Sequence, residues 1–129
     1  LDDLLQQSDF IVLAVDLNVE SKQLIGAEQF DLMQKHAVFV NIARGSVVDE
    51  HALIQALQNN KIFAAGVDVY VREPLQSSAL FELPNIVTTP HIGSATAQTR
   101  KKMAQLAYQN LVDALENKTP RYLVNPNFK

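Results

Sequence analysis

Arg44, Glu73 and His91 each stand just past the end of an apolar run that reads as a strand. Their side chains offer three complementary functions. Arginine presents a planar fork that can hold a carboxylate through two hydrogen bonds. Histidine is the one side chain whose unperturbed pKa, ~6.5, lets it give and recover a proton near neutrality. A carboxylate within about 4 to 6 Å of an imidazole favours its protonated form. A cation for a carboxylate, a proton donor for a keto oxygen and a carboxylate to tune that donor are what reduction of a 2-keto acid needs. Spacing alone leaves plainer readings open. His91 could cap a helix or bond a loop, Arg44-Gly45 could be a turn, and Glu73-Pro74 could be a solvated loop. Asp68 is harder to set aside, because it lies inside an apolar run and a buried carboxylate without partners is costly. It needs either backbone donors or a bound ligand.

The elements that must position these residues follow from the apolar pattern. Phe10 to Val15, Ala37 to Ile42, Ile62 to Val69 and Asn85 to Thr89 read as strands. The first three are nearly continuous rather than alternating, which predicts parallel strands covered on both faces. Leu1 to Gln7 reads as helix, as does Leu24 to Met33 with Leu24, Phe30 and Met33 on its apolar side. Asp49 is placed to cap a helix in which Ala52, Leu53, Ala56 and Leu57 recur at helical spacing, ending at Asn59-Asn60. A long amphipathic helix follows His91, with Met103, Leu106, Ala107, Leu111, Ala114 and Leu115 on one stripe and Ser94 or Thr96 as its cap. That stripe is expected to pack on a core, and the tail from Arg121 to Lys129, with Pro126, to be ordered only by docking. Strand and helix in alternation predict right-handed crossovers and a parallel α/β sheet. In such sheets ligands bind beyond the carboxyl ends of the strands, where Arg44, Asp68, Glu73 and His91 all fall.

The chain has 129 residues, one domain's worth, with 47% hydrophobic and 19% charged residues, as in an ordinary globular protein. Its net charge of −3 gives no basic footprint for nucleic acid. Without cysteine there is no disulfide, thiolate nucleophile or cysteine metal site, and a cytoplasmic setting is the default. The apolar runs fall far short of the roughly 20 residues that span a bilayer. Neither His36 nor His51 belongs to a metal-binding pattern, and both are expected at the surface. Leu1 is not a methionine, so the chain is expected to begin inside a longer polypeptide. The only glycines are Gly26, Gly45, Gly66 and Gly93, and none forms a G-x-G-x-x-G loop.

The segments Val40-Asn41-Ile42-Ala43-Arg44-Gly45-Ser46-Val47-Val48-Asp49-Glu50, Ala65-Gly66-Val67-Asp68-Val69-Tyr70 with Glu73-Pro74, and Thr89-Pro90-His91-Ile92-Gly93-Ser94-Ala95-Thr96 carry a stronger signal. In order and spacing they resemble the D-isomer-specific 2-hydroxyacid dehydrogenases, over nearly the whole chain. The terminal Val124-Asn125-Pro126 is similar to the branch that reduces glyoxylate and hydroxypyruvate or 2-ketogluconate. Formate dehydrogenases have glutamine where Glu73 stands, and D-lactate dehydrogenases usually carry aromatic residues where Gly93-Ser94-Ala95-Thr96 follows His91.

The resemblance implies a catalytic set of Arg44, Glu73 and His91, with NAD or NADP as cofactor and a small 2-keto or 2-hydroxy acid as substrate. His91 would protonate the keto oxygen, Glu73 would orient His91, and Arg44 would bind the substrate carboxylate. Asp68 would meet the nicotinamide carboxamide, and Val15, Asp16, Ser21, Ile42, Ala43 and Gly93 would make further cofactor contacts beside Arg44 and His91. It also implies residues 1–94 as the second half of a doubly wound Rossmann-type sheet, residues 95–129 as a C-terminal helix and tail that pack on the substrate domain in the family, and a homodimer of the full-length protein. No membrane or nucleic-acid partner is expected. Asp16 stands where the family usually has proline and Asn60 where it usually has glycine. The family's front half, with its glycine-rich phosphate loop, has no counterpart here, so this stretch alone is expected not to turn over. A sheet cut there would expose an edge strand that pairs with another copy or with an absent segment. Two alternatives are a dinucleotide-binding corepressor with the same residues, and an inactive fragment.

Overall fold

The computed structural model describes residues 1–125, so Pro126 and the end of the tail lie outside the described residues. The chain divides after Ile92 into two compact units. The first runs α1 (Asp2–Gln7), β1 (Phe10–Leu13), α2 (Ala27–Leu32), β2 (Val38–Asn41), α3 (Glu50–Gln58), β3 (Ala64–Val67) and β4 (Ile86–Thr88). Short 3-10 turns at Gly45–Val47 and Ala79–Glu82 precede α3 and β4. All four predicted strands form, β1 shortened at its carboxyl end and the other three at both ends.

The strands pair in parallel in the order β1-β2-β3-β4, with Ile11 beside Phe39, Phe39 beside Ala65 and Ala65 beside Ile86. Period-two alternation puts Ile11, Leu13, Phe39, Ala65 and Val67 on one face, where they join Phe30, Leu53 and Leu57 in a single buried cluster. Phe30 meets Phe39 edge to face, with ring centroids 5.2 Å apart. The expectation that both faces are covered fails on the other side. Phe10 is 74% and Val12 56% exposed, and Val87 is exposed as well. A continuous apolar run shows that both faces can be buried, not that this stretch buries both. β1 is an outer strand, as the cut sheet requires.

Local chemistry sets the helix ends. Asp49 Oδ1 accepts from the N–H groups of His51 and Ala52 at 3.0 and 3.2 Å, satisfying two of the free donors of α3. Past the other end, Asn60 takes a left-handed backbone with φ 52°. In α2 the donor is met differently, by Gln29 Oε1 reaching back to the Gly26 N–H at 3.0 Å.

The second unit holds α4 (Ala97–Leu115), capped by Thr96 rather than Ser94, with Thr96 Oγ1 accepting from Thr99 N at 3.1 Å. None of its residues is buried, and Met103, Leu106, Leu111 and Leu115 are exposed. The second unit by itself offers this stripe no core to pack on. An amphipathic period records a face able to pack, whatever the partner. No helix of the described residues is long and apolar enough to cross a membrane.

Candidate active site at the carboxyl ends of the strands

The loop after β3 carries Asp68 and Glu73, and the loop after β4 carries His91. Their side chains meet in one network. His91 Nδ1 lies 2.6 Å from Glu73 Oε2, while Glu73 Oε1 accepts from the Tyr70 N–H at 2.9 Å. The hydrogen bond from His91, first, and that from the Tyr70 amide, second, hold the Glu73 carboxyl below its ordinary 4.5. Partial burial opposes the shift, and the charges of His91 and Arg44 add to it in smaller measure. Both side chains of the pair reach solvent, so the pair forms at a cavity mouth, not in the core.

That cavity, about 540 Å³, is lined by Tyr70, Glu73, Leu75, Phe81, Thr89 and His91 among others. The His91 backbone is left-handed, with φ 53°. Few residues other than glycine adopt this conformation, and it persists where surrounding contacts impose it. Here the His91 N–H bonds back to the Thr89 carbonyl at 3.1 Å. The Tyr70 hydroxyl donates to the same carbonyl at 2.9 Å. Burial, the largest cause, raises the Tyr70 phenol above its ordinary 10.0, so it keeps its proton and acts as a donor.

Asp68 meets the requirement set by its burial from within the chain. Its Oδ1 accepts from Thr89 Oγ1 at 2.5 Å and from the Ile92 N–H at 2.9 Å. Asp68 thus clamps the loop that carries His91 to the end of β3. Gly93 begins the second unit.

Arg44 follows β2 and is exposed, its Nη1 donating to the Ala43 carbonyl at 2.6 Å. The turn that presents it is shaped by Asn41, whose buried amide accepts from the Ala43 N–H at 3.0 Å and donates to the Arg44 carbonyl at 3.1 Å. Val15, Asp16, Ile42, Ala43 and Arg44 line a second cavity of about 470 Å³ beyond β1 and β2, with Ala14 and Leu17. Ser21 supports this cradle from behind. Its buried hydroxyl donates to the Asp16 carbonyl at 2.6 Å and accepts from the Asn18 N–H at 2.8 Å. Asn18 Oδ1 also takes the N–H groups of Glu20 and Ser21, so the loop is pinned without the proline usual at position 16.

Asn41, Tyr70 and Thr89 escaped the reading of the sequence as site residues. The signal for Asn41 was there, as a lone amide at the end of an otherwise apolar strand. Tyr70 and Thr89 are ordinary strand-end residues whose hydroxyls matter only once the loops are folded together. Elsewhere His36 pairs with Asp9 at 2.7 Å and His51 with Gln55 at 3.0 Å, both at the surface.

Comparison with known proteins identifies the chain's relatives. Residues 1–93 match the model of the D-isomer specific 2-hydroxyacid dehydrogenase NAD binding domain. Glyoxylate/hydroxypyruvate reductase B of Escherichia coli is 52% identical over 128 residues, which are 98% of this chain and 40% of that protein. The chain therefore spans 40% of the length of this curated relative. The crystal structure of a glyoxylate reductase from Paecilomyes thermophila superposes with a TM-score of 0.91 at 37% identity, covering 98% of this chain and 39% of that one. An NADPH-dependent glyoxylate/hydroxypyruvate reductase from Sinorhizobium meliloti, solved with NADP and malonate, gives a TM-score of 0.85 at 30% identity, covering 95% of this chain and 42% of that one.

Proposed function

The chain belongs to the D-isomer specific 2-hydroxyacid dehydrogenase family, and on that premise we propose that it carries the proton-transfer and carboxylate-binding part of a reductase for small 2-keto acids. The observation that carries this reading is the His91–Glu73 pair, 2.6 Å apart at the mouth of a cavity beyond the carboxyl ends of β3 and β4. With Nδ1 committed to Glu73, the other ring nitrogen, Nε2, is left to serve a substrate. The depressed Glu73 carboxyl stays ionised and orients the ring through Nδ1.

In the reductive direction the keto carbon gains a hydride and the C=O π pair moves onto oxygen. That oxygen takes the proton from His91 Nε2, and the imidazole is reprotonated from solvent. Arg44, exposed at the end of β2, holds the substrate carboxylate and draws electron density toward the carbonyl oxygen, an interaction that strengthens as negative charge develops. A bound dihydronicotinamide supplies the hydride and is itself oxidised. The cavity lined by Val15, Asp16, Ile42, Ala43 and Arg44 fits this group, since it offers main-chain polar groups and one cation beyond two adjacent parallel strands. Asp68, with Gly93 beside the same loop, is assigned to the carboxamide end. Ser21 acts on the cofactor through the loop it holds.

The names of the relatives favour glyoxylate and hydroxypyruvate over 2-ketogluconate. The chain has no glycine-rich phosphate loop, so the full-length protein is the active species, proposed as a cytoplasmic homodimer. The test is dihydronicotinamide oxidation by the full-length protein, with NADH and NADPH each offered glyoxylate, hydroxypyruvate and 2-ketogluconate. Consumption with at least one pair is expected, and cofactor binding without any 2-keto acid reduction overturns the reading in favour of a non-enzymatic relative.

A further inference from the structure

We propose that Tyr70 is the positioning residue of this site, a single residue whose three groups set the loops of Arg44, Glu73 and His91 against one another. The inference rests on the reading of those three residues given above, and it assigns a role to a fourth that none of the motif residues fills.

Each group of Tyr70 has a different loop as its partner. Its N–H donates to Glu73 Oε1 at 2.9 Å, which directs the second carboxylate oxygen, Oε2, to His91. Its hydroxyl donates to the Thr89 carbonyl at 2.9 Å, the same carbonyl that accepts the His91 N–H at 3.1 Å. A carbonyl oxygen has two lone pairs, and here both are taken. The phenol thereby fixes the carbonyl that anchors the N-terminal side of His91, while Asp68 anchors the Ile92 N–H on its other side, and between these two anchors the His91 backbone is left-handed.

The third contact is steric. A Cβ added to Gly45 would lie 2.0 Å from the Tyr70 carbonyl carbon, 2.3 Å from Val71 N and 2.4 Å from Tyr70 O. The residue after Arg44 therefore packs bare against the Tyr70–Val71 peptide, and only glycine permits that approach. This contact sets the loop that follows β2 against the loop that follows β3.

Tyr70→Phe in the full-length protein removes the hydroxyl and leaves the ring, the amide and the Gly45 contact. The expected result is a fall in kcat of about five- to tenfold, the range that losing one hydrogen bond implies, with KM for the 2-keto acid changed less than about twofold. In a Glu73→Gln background the same substitution is expected to cost less than about twofold further, because positioning lost through a pair already weakened is not lost twice. Long-range ¹H–¹⁵N spectra of the imidazole, recorded without cofactor, are expected to shift from one tautomer toward a mixture. Unchanged kcat, an unchanged imidazole spectrum, or a penalty that multiplies fully with that of Glu73→Gln would each overturn the role of Tyr70. If Glu73→Gln alone costs nothing, the proposed proton-transfer pair falls, and the role of Tyr70 falls with it.

Discussion

Two regions at the same edge of the sheet are built in opposite ways. Beyond β3 and β4, the chain meets the polar demands of Asp68, Glu73 and His91 with its own Tyr70, Thr89 and Ile92. Beyond β1 and β2, the backbone is just as firmly held, by Asn41 below Arg44 and by Ser21 below Asp16, but Val15, Leu17, Ile42 and Arg44 face outward. The first region closes its polar side chains on one another, and the second holds its backbone firmly while its side chains stay outward. Substitutions in the first should change chemistry, and those in the second should change binding while sparing the fold.

The largest expected effect is that of His91→Asn, which keeps a side chain that can bond Glu73 but removes the transferable proton. In the full-length protein kcat should fall by about 10²–10⁴, the usual weight of a general acid, with cofactor affinity nearly unchanged. Steady-state turnover and cofactor titration together decide it. A variant that kept most of its turnover would move the proton donor elsewhere. Next is Arg44→Gln, on the opposite side of the comparison. Loss of a charge-assisted bond worth about 1.5–3 kcal/mol should raise KM for the 2-keto acid roughly 10- to 150-fold. Because Arg44 is exposed, thermal stability should hardly move.

Glu73→Gln separates the two roles of a carboxylate. The amide can still orient His91 but carries no negative charge to meet the transferred proton's site, so kcat should drop about tenfold. Stability should respond to pH as well. The Glu73 carboxyl is depressed below 4.5 in the fold, so the stability it contributes is present above that value and is lost as pH falls through the lower, folded one. Melting temperatures measured downward from pH 5 should therefore fall less steeply in the glutamine variant. Solvent at the pair keeps this contribution modest. Equal slopes in the two proteins would mean that the pair adds nothing to folding.

The same division explains what could be read before folding. The strands themselves, the Asp49 cap and the left-handed turn at Asn60 follow from local chemistry, and all three lie within a few residues of their cause. Arg44, Glu73 and His91 could be singled out as candidates because each sits in a distinctive local motif. Their mutual geometry could not be read, because it depends on a tyrosine hydroxyl reaching a carbonyl 19 positions away and on a glycine packed against a distant peptide. The outward face of β1 misled for a related reason. Phe10 and Val12 have the composition of buried surface, and composition states what a face can do, not which element covers it.

The smallest effect offers the finest test of the contrast. Ile42 lines the cavity beside Arg44 and is exposed, while its neighbour Ala43 is buried in the core cluster. Ile42→Ala removes apolar surface that covers nothing in the fold, so it should alter unfolding free energy by no more than about 0.5 kcal/mol. Any ligand seated in the cradle loses that surface, and the dissociation constant for the nicotinamide cofactor should rise by a few-fold at about 25 cal/mol per Å² of apolar contact. Denaturant melts and cofactor titration of the full-length protein measure the two quantities separately. A stability loss above about 1 kcal/mol with unchanged cofactor affinity would place Ile42 in the packing of the fold. The region beyond β1 and β2 would then be as self-contained as the one beyond β3 and β4.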